Sequence, residues 1–222
     1  MNYKRSWLQK MDYKYGRLAI HNLMNIIVIG MIIVFVMNAV LSSSGSSFLM
    51  LFTFDRAAIF SGQIWRLISF IFVPPDSSIL FIIMSLYFYW LMGSAMEGEW
   101  GSFKFDVFYF CGVFGTVIAG LLTGYATNNY LNLSLFLAFA SLFPEFKVNL
   151  FFLIPVKVKY LAYIDAVFLL LTFILINWQG RIALAVALLN LLLFFWSDFL
   201  DGSKRIIRKA KWRKNARRTG WR

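Results

Sequence analysis

The chain is poor in the side chains that carry redox, metal and acid–base chemistry. Its 222 residues contain one cysteine, Cys111, and one histidine, His21. A single cysteine excludes an intramolecular disulfide. Zinc sites need clusters of Cys and His or a His-Glu-x-x-His motif, and this sequence contains neither pattern. We therefore expect no metal site and no cofactor.

Charged residues are also scarce. Only 14% of the residues are charged, 60% are hydrophobic, and the mean hydropathy is +0.70. Soluble domains are usually about 25% charged and about 45–50% apolar. The apolar residues here come in long runs, and runs of about 20 apolar residues are typical of transmembrane helices. The composition therefore predicts a polytopic α-helical membrane protein.

Six apolar segments stand out, so we predict an all-α membrane protein with six transmembrane helices. They cover residues 23–41, 79–95, 105–122, 131–143, 160–176 and 182–196. The first is too long for the apolar part of a signal peptide, which predicts that it is retained. The fourth is too short to cross a bilayer unless residues 127–130 extend it or its neighbours enclose it.

Acidic residues are rarer than basic ones, with 10 Asp and Glu against 22 Lys and Arg. With six spans, only Arg56, Arg66 and Arg181 lie on the side of the membrane opposite the N-terminus. Because cytoplasmic segments are enriched in Lys and Arg, we expect both termini in the cytoplasm of a bacterial plasma membrane or its equivalent. We divide the chain into a basic N-terminal segment (1–17), a six-helix transmembrane domain (18–198) and a basic tail (199–222).

The tail concentrates positive charge, with ten Lys and Arg residues between positions 204 and 222. It could set the topology, bind anionic lipid headgroups or bind nucleic acid. Trp212 and Trp221 favour a lipid surface, because indole rings suit a membrane interface. We expect membrane lipids and no nucleic acid as partners. The candidate headgroup ligands are Lys204, Arg205, Arg208, Lys209, Lys211, Arg213 and Lys214.

The first outside loop, residues 42–78, begins with a flexible Ser-Gly stretch and then turns apolar and aromatic. A loop of this composition is poorly suited to water. We predict short interfacial helices that lie partly in the outer leaflet.

Three stretches carry a family resemblance. The first is Gly62-Gln63-Ile64-Trp65-Arg66-Leu67-Ile68-Ser69. The second is Leu86-Tyr87, followed by Glu97-Gly98-Glu99-Trp100-Gly101-Ser102. The third is Leu142-Phe143-Pro144, followed by residues 153–161. In this order on a six-span chain, they resemble the rhomboid superfamily across residues 18–198. The resemblance implies a rhomboid-like bundle with a membrane-embedded first outside loop.

The same motif residues also have plain physical interpretations. Trp65 and Arg66 could be an aromatic-belt and snorkelling pair at the membrane boundary. Exposure is the default for Glu97 and Glu99, since a span ends there. The third span contains Gly112, Gly115, Gly120 and Gly124, which predicts close packing of its neighbours.

The resemblance implies an intramembrane Ser-His dyad, and this chain departs from it. Asn129 occupies the position of the family's nucleophilic serine, and the sixth span has no histidine. Ser78 and Ile82 occupy the positions of the His and Asn that help to hold the oxyanion. A serine hydroxyl is a weak nucleophile without an adjacent base, and the oxyanion needs placed donors. His21 precedes the first span on the predicted cytoplasmic side. We therefore expect no catalytic residues of this kind.

The sequence thus predicts a pseudoprotease that binds transmembrane segments of partner membrane proteins, as the resemblance to derlins and inactive rhomboids implies. Candidate partner-binding residues are Asn128, Asn129, Asn132 and Ser134, which alternatively form an ordinary polar helix start facing water. Other interpretations are a rhomboid-type serine peptidase by fold and a lipid scaffold that acts through the tail. A transporter or an enzyme of another type is less well matched. Asp165 is the clearest acid within a span, and we predict that it pairs with Lys157 or Lys159 at the interface.

Overall fold

A computed structural model of the chain describes residues 7–41, 48–75, 78–124, 126–150 and 154–195. In chain order the elements are α1 (Trp7–Tyr15), α2 (Leu23–Leu41), α3 (Arg56–Phe60), α4 (Arg66–Ser69), α5 (Ile79–Trp100), α6 (Ser102–Thr123), α7 (Asn129–Leu142), β1 (Lys147–Leu150), β2 (Ile154–Lys157), α8 (Val158–Leu175) and α9 (Trp178–Phe195). Short 3-10 turns cover Gly16–Leu18, Phe48–Leu51 and Phe70–Phe72.

Five of these helices are long and apolar enough to cross a membrane, namely α2, α5, α6, α8 and α9. The chain is therefore a multi-pass integral membrane protein built almost entirely from α-helices. The fourth predicted segment corresponds to α7, which has 14 residues. At 1.5 Å per residue it is about 21 Å long, shorter than a hydrocarbon core of about 30 Å.

The short helix α7 is enclosed by its neighbours, as one of the two sequence alternatives required. It packs against α5, α6 and α8, and Leu131, Leu135 and Phe139 are completely buried. Because a buried helix end is shielded from lipid, α7 does not need to reach both membrane surfaces. It forms the centre of the bundle instead.

The glycine-rich side of α6 allows close packing, as the sequence predicts. A Cβ atom added at Gly112 would lie 2.5 Å from Leu131 and 2.9 Å from Asn190, and one at Gly115 would lie 2.6 Å from Val186. At these positions α7 and α9 approach the α6 backbone more closely than any side chain would permit.

Helix α8 is attached to the bundle more loosely than the other spanning helices. Only Val158 and Leu169 are buried along it, whereas most of its large apolar side chains are exposed. It packs on α7 and makes at most a marginal contact with α5. The exposed faces of α8 are suited to lipid. A gap separates much of α8 from α5.

The loop between α2 and α5 contains short helices, as the sequence predicts for residues 42–78. Met50, Phe60, Ile64 and Ile68 are all more than 60% exposed, whereas Phe54, Ile59, Phe70 and Ile71 are buried in the core. Residues 42–47 lie outside the described residues.

The segment between α7 and α8 was expected to be a loop and is a β-hairpin. Strands β1 and β2 pair antiparallel, with Lys147 opposite Lys157 and Val148 opposite Val156. The sequence signal is the alternation of polar and apolar residues from Lys147 to Leu150, since alternate side chains of a strand face opposite sides.

Candidate functional site

The second family-like stretch forms the junction between α5 and α6. Glu97 Oε1 accepts hydrogen bonds from Asn22 N at 2.8 Å and from Ser102 Oγ at 2.7 Å. Glu97 is therefore half-buried and bonded, and the expectation of simple exposure is wrong for it, while Glu99 is exposed. Gly101 has φ +81°, a conformation that side chains disfavour.

Trp100 completes this junction with aromatic contacts. Its ring lies 5.6 Å from that of Phe108 on α6 and 5.2 Å from that of Phe195 on α9. The Lys104 ammonium lies 4.2 Å from the centre of the same ring, within cation–π range. The junction thus holds three spanning helices together.

The first family-like stretch, residues 62–69, stabilises the loop between α2 and α5. The Arg66 guanidinium is buried, and it donates to Met50 O, to Thr53 O at 2.8 Å and to Gln63 Oε1 at 2.6 Å. This side chain therefore does not snorkel toward water. Trp65 remains 54% exposed and donates from Nε1 to Leu51 O at 3.2 Å, which is consistent with an interfacial position.

A cavity of about 770 Å³ lies between α5, α7, the hairpin and α8. The lining includes side chains of α5 between Phe81 and Met92, together with Val148 on β1 and Leu161 on α8. Several lining residues of α5 are also exposed at the bundle surface, including Ile83 at 60%. The cavity therefore opens sideways, between spanning helices.

An enclosed polar group lies in this mainly apolar cavity. Asn132 on α7 lines it and is only 3% exposed, and neither its Oδ1 nor its Nδ2 has a hydrogen-bond partner within the described residues. The Tyr89 hydroxyl interacts with the Asn132 side chain without reaching hydrogen-bond geometry. Tyr109 Oη, from α6, is a further enclosed polar atom without a partner within the described residues.

Unsatisfied polar groups are expensive when buried in an apolar environment. Leaving one side-chain donor or acceptor unpaired costs about 1–3 kcal/mol. Native proteins retain few of them, so each needs a structural or functional explanation. Asn132 lines the cavity, and both the oxygen and the nitrogen of its side-chain amide lack a hydrogen-bond partner within the described residues. A ligand that enters the cavity with a polar group would satisfy it.

The other predicted partner-binding residues have different positions. Asn128 is buried and donates from Nδ2 to Ile71 O at 3.1 Å and to Val73 O at 2.8 Å. Ser134 is buried and donates to Leu131 O at 2.8 Å within its own helix. Neither presents a donor to an incoming helix. Asn129 and Asn132, which both line the cavity, remain as the candidate partner-binding residues.

The positions aligned with the peptidase machinery do not assemble a catalytic site. Asn129 is exposed at the start of α7, and Ser78 precedes α5. Ile82 is the fourth residue of α5 and is buried, and its side chain is a hydrocarbon without a hydrogen-bond donor. His21 lies beside Trp100 and Lys104 at the opposite end of α5. Within the described residues no group of three His, Cys, Asp or Glu side chains could hold a metal ion.

The predicted ion pair of Asp165 is wrong. Lys157 and Lys159 both bind the Glu145 carboxylate, Lys157 at 2.7 Å. These hydrogen bonds lower the pKa of Glu145 to about 2 from an ordinary value of 4.5. Asp165 is half-buried on α8, and its Oδ2 atom is enclosed without a hydrogen-bond partner within the described residues.

The candidate headgroup ligands of the tail, from Lys204 to Lys214, lie outside the described residues. Tyr89, Tyr109 and the shape of the cavity were missed by the sequence reasoning. The only signal for them was the presence of tyrosines inside apolar runs.

Comparisons with models of protein families, with curated proteins and with solved structures find no significant match. The fold and the cavity define a class, a multi-pass membrane protein with a laterally open and mainly apolar cavity.

Proposed function

We propose that this protein is a rhomboid-like pseudoprotease that binds a transmembrane segment of a partner membrane protein in the lateral cavity. The observation that carries the proposal is Asn132, an enclosed amide without a hydrogen-bond partner among the described residues, in a cavity that opens between spanning helices. A partner helix would enter from the bilayer without crossing a polar surface. Its polar side chain would then bind Asn132.

The dimensions of the cavity support this choice. The α5 residues that line it run from Phe81 to Met92, which at 1.5 Å per residue is about 16 Å, or three helical turns. A hydrogen bond between membrane helices contributes only about 0.6–2 kcal/mol. Most of the affinity would therefore come from packing, with Asn132 selecting helices that carry a polar residue.

The rhomboid-like part of the proposal rests on the order of the three sequence stretches, on Arg66 as the residue that bonds the loop between α2 and α5, and on Glu97 and Trp100 as residues of the junction between α5 and α6. Lack of catalysis rests on Asn129 at the nucleophile position and on the distant placement of His21. The purified protein in liposomes should neither cleave a model transmembrane substrate nor react with a fluorophosphonate. Cleavage that depends on one serine would favour the alternative, a serine peptidase with an unfamiliar base.

Photo-crosslinking tests the binding proposal directly. A crosslinking amino acid replaces Ile83 at the cavity, and in a matched variant it replaces Ile29 on α2. The two isoleucines are 60% and 56% exposed, and only Ile83 lines the cavity. We expect crosslinks to transmembrane segments from position 83, reduced by Asn132→Leu. Equal crosslinking from both positions would refute the proposal.

The basic tail supports a second candidate, a scaffold that binds anionic lipid. Ten Lys and Arg residues between positions 204 and 222 would attract anionic headgroups. Deleting residues 204–222 should then reduce the enrichment of anionic lipids around the protein in nanodiscs of mixed lipid composition. Unchanged lipid enrichment would exclude the tail as the anchor.

A further inference from the structure

The inward side of α8 continues the wall of the cavity. Leu161, Asp165 and Leu169 are spaced at four residues, which places them on one face of the helix. Leu161 lines the cavity, and Leu169 is one of the two buried residues of α8. Asp165 therefore lies one turn beyond the cavity lining, on the face that α8 presents to the bundle.

Asp165 lies deep within the span. It is seven residues from Val158, the first residue of α8, and therefore about 10 Å along the helix axis. Among the described residues the acids Glu97 and Asp106 lie within about one turn of a helix end. Among the acids of the described spans, Asp165 lies farthest from a helix end.

The cations nearest to Asp165 in the chain are used elsewhere. Lys157 and Lys159 bind Glu145. Arg181, beyond the other end of α8, donates to Ile174 O at 2.9 Å and to Ile176 O at 3.1 Å. Asp165 Oδ2 has no hydrogen-bond partner within the described part of the chain. A carboxylate at this depth is costly unless a cation or a proton neutralises it.

We propose that the partner helix carries a lysine or an arginine that pairs with Asp165. This inference rests on the proposed function, and it names the class of transmembrane segment that the cavity selects. Two neighbouring features act together. Within the described residues, Asn132 is an enclosed amide without a hydrogen-bond partner on the α7 wall of the cavity, and Asp165, one turn beyond the cavity lining on α8, has no counter-ion. The loose packing of α8 against α5 leaves room for the incoming helix.

The depth of Asp165 favours a helix over a lipid headgroup as the source of the cation. A headgroup ammonium stays in the interfacial region, whereas Asp165 lies about 10 Å along α8 from Val158. A lysine in the middle of a partner helix is already at that depth. It is also costly in lipid by itself, so pairing relieves two buried charges at once.

Binding of designed helices in phosphatidylcholine vesicles tests the inference. The probes are two Leu/Ala peptides that carry either one lysine or one leucine at mid-span, and binding to the full chain is followed by energy transfer. We expect the lysine peptide to bind at least about tenfold more tightly. Asp165→Asn, which keeps the size of the side chain, should remove that preference. Asp165→Lys should prefer a peptide with glutamate at the same position, which a merely structural aspartate would not produce.

The outcomes separate the two proposals. If both peptides bind equally, the inference about the cation is wrong and the proposed function stands. Should neither peptide bind, both proposals fail. A lysine preference that persists in Asp165→Asn would also overturn the inference. A preference that disappears on adding phosphatidylethanolamine would assign Asp165 to an aminolipid and overturn it as well.

Discussion

Replacing Glu97 by alanine should weaken the junction between α2, α5 and α6. The carboxylate accepts one exposed hydrogen bond from Asn22 N and one partly buried bond from Ser102 Oγ. An exposed bond contributes about 0.5–1 kcal/mol, and a partly buried bond to a charged group about 1.5–3 kcal/mol. We therefore expect Glu97→Ala to lower the free energy of unfolding by about 2–4 kcal/mol.

Glutamine at the same position should be much better tolerated. Both bonds end on the same oxygen, Oε1, and the amide oxygen of Glu97→Gln can accept both. Only the charge assistance is lost, so the expected cost is about 1 kcal/mol. Glu99 provides the matched control, because it is exposed two residues away on the same helix. Glu99→Ala should change the stability by less than about 0.5 kcal/mol.

The assay is reversible unfolding in mixed detergent micelles, followed by tryptophan fluorescence. Three variants are compared with the wild type under one set of conditions. If Glu97→Ala is no less stable than Glu99→Ala, the two hydrogen bonds do not stabilise the junction. If Glu97→Gln is as unstable as Glu97→Ala, the charge and not the geometry of the acceptor is what matters.

Three further predictions use the same measurement. Gly112→Ala should lower the free energy of unfolding by about 1–3 kcal/mol, because the added Cβ would lie 2.5 Å from Leu131. Gly98→Ala should be neutral or stabilising, because no atom lies within 4 Å of its added Cβ. Equal effects of the two substitutions would refute the packing argument. Asn128→Ala should cost about 2–3 kcal/mol, since two carbonyls lose a donor, and a near-neutral result would contradict the bonding shown. The lowered pKa of Glu145 means that its ion pairs stabilise the fold above pH 4.5 and lose that effect as the pH falls toward about 2. The stabilities of wild type and Glu145→Gln should therefore differ at pH 7 and converge in acid. A difference in stability that grows as the pH falls would be inconsistent with the ion pairs.

The spanning helices could be predicted because a long apolar run has one stable solution in a membrane. Five predicted spans correspond to helices of spanning length, and the boundaries differ by a few residues. The short segment at α7 was correctly marked as too short to cross alone. Its length is fixed locally by the sequence, but its enclosure depends on how α5, α6 and α8 pack around it.

The contacts of charged residues were harder to predict because sequence distance was taken for spatial distance. Lys159 precedes Asp165 by six residues, which is about 240° around an α-helix and therefore on a different face. Lys157 lies in a strand that the sequence analysis treated as loop. Once β1 and β2 pair, Glu145 lies beside both lysines. The missed hairpin and the wrong ion pair thus have one cause.

The cavity illustrates what local patterns do not contain. Its walls come from residues of α5, α7, β1 and α8, and its volume depends on how far α8 stands from α5. No residue type encodes that gap. The sequence did mark the amides of α7 as candidates, and packing then divided them, since Asn128 and Ser134 bond to nearby carbonyls whereas Asn132 does not. An enclosed amide without a partner is destabilising by itself, and a spanning acid without a cation adds to that cost. Asn132 lines the opening and Asp165 lies one turn beyond its lining, so a single partner that brings a polar or basic side chain would relieve both costs together.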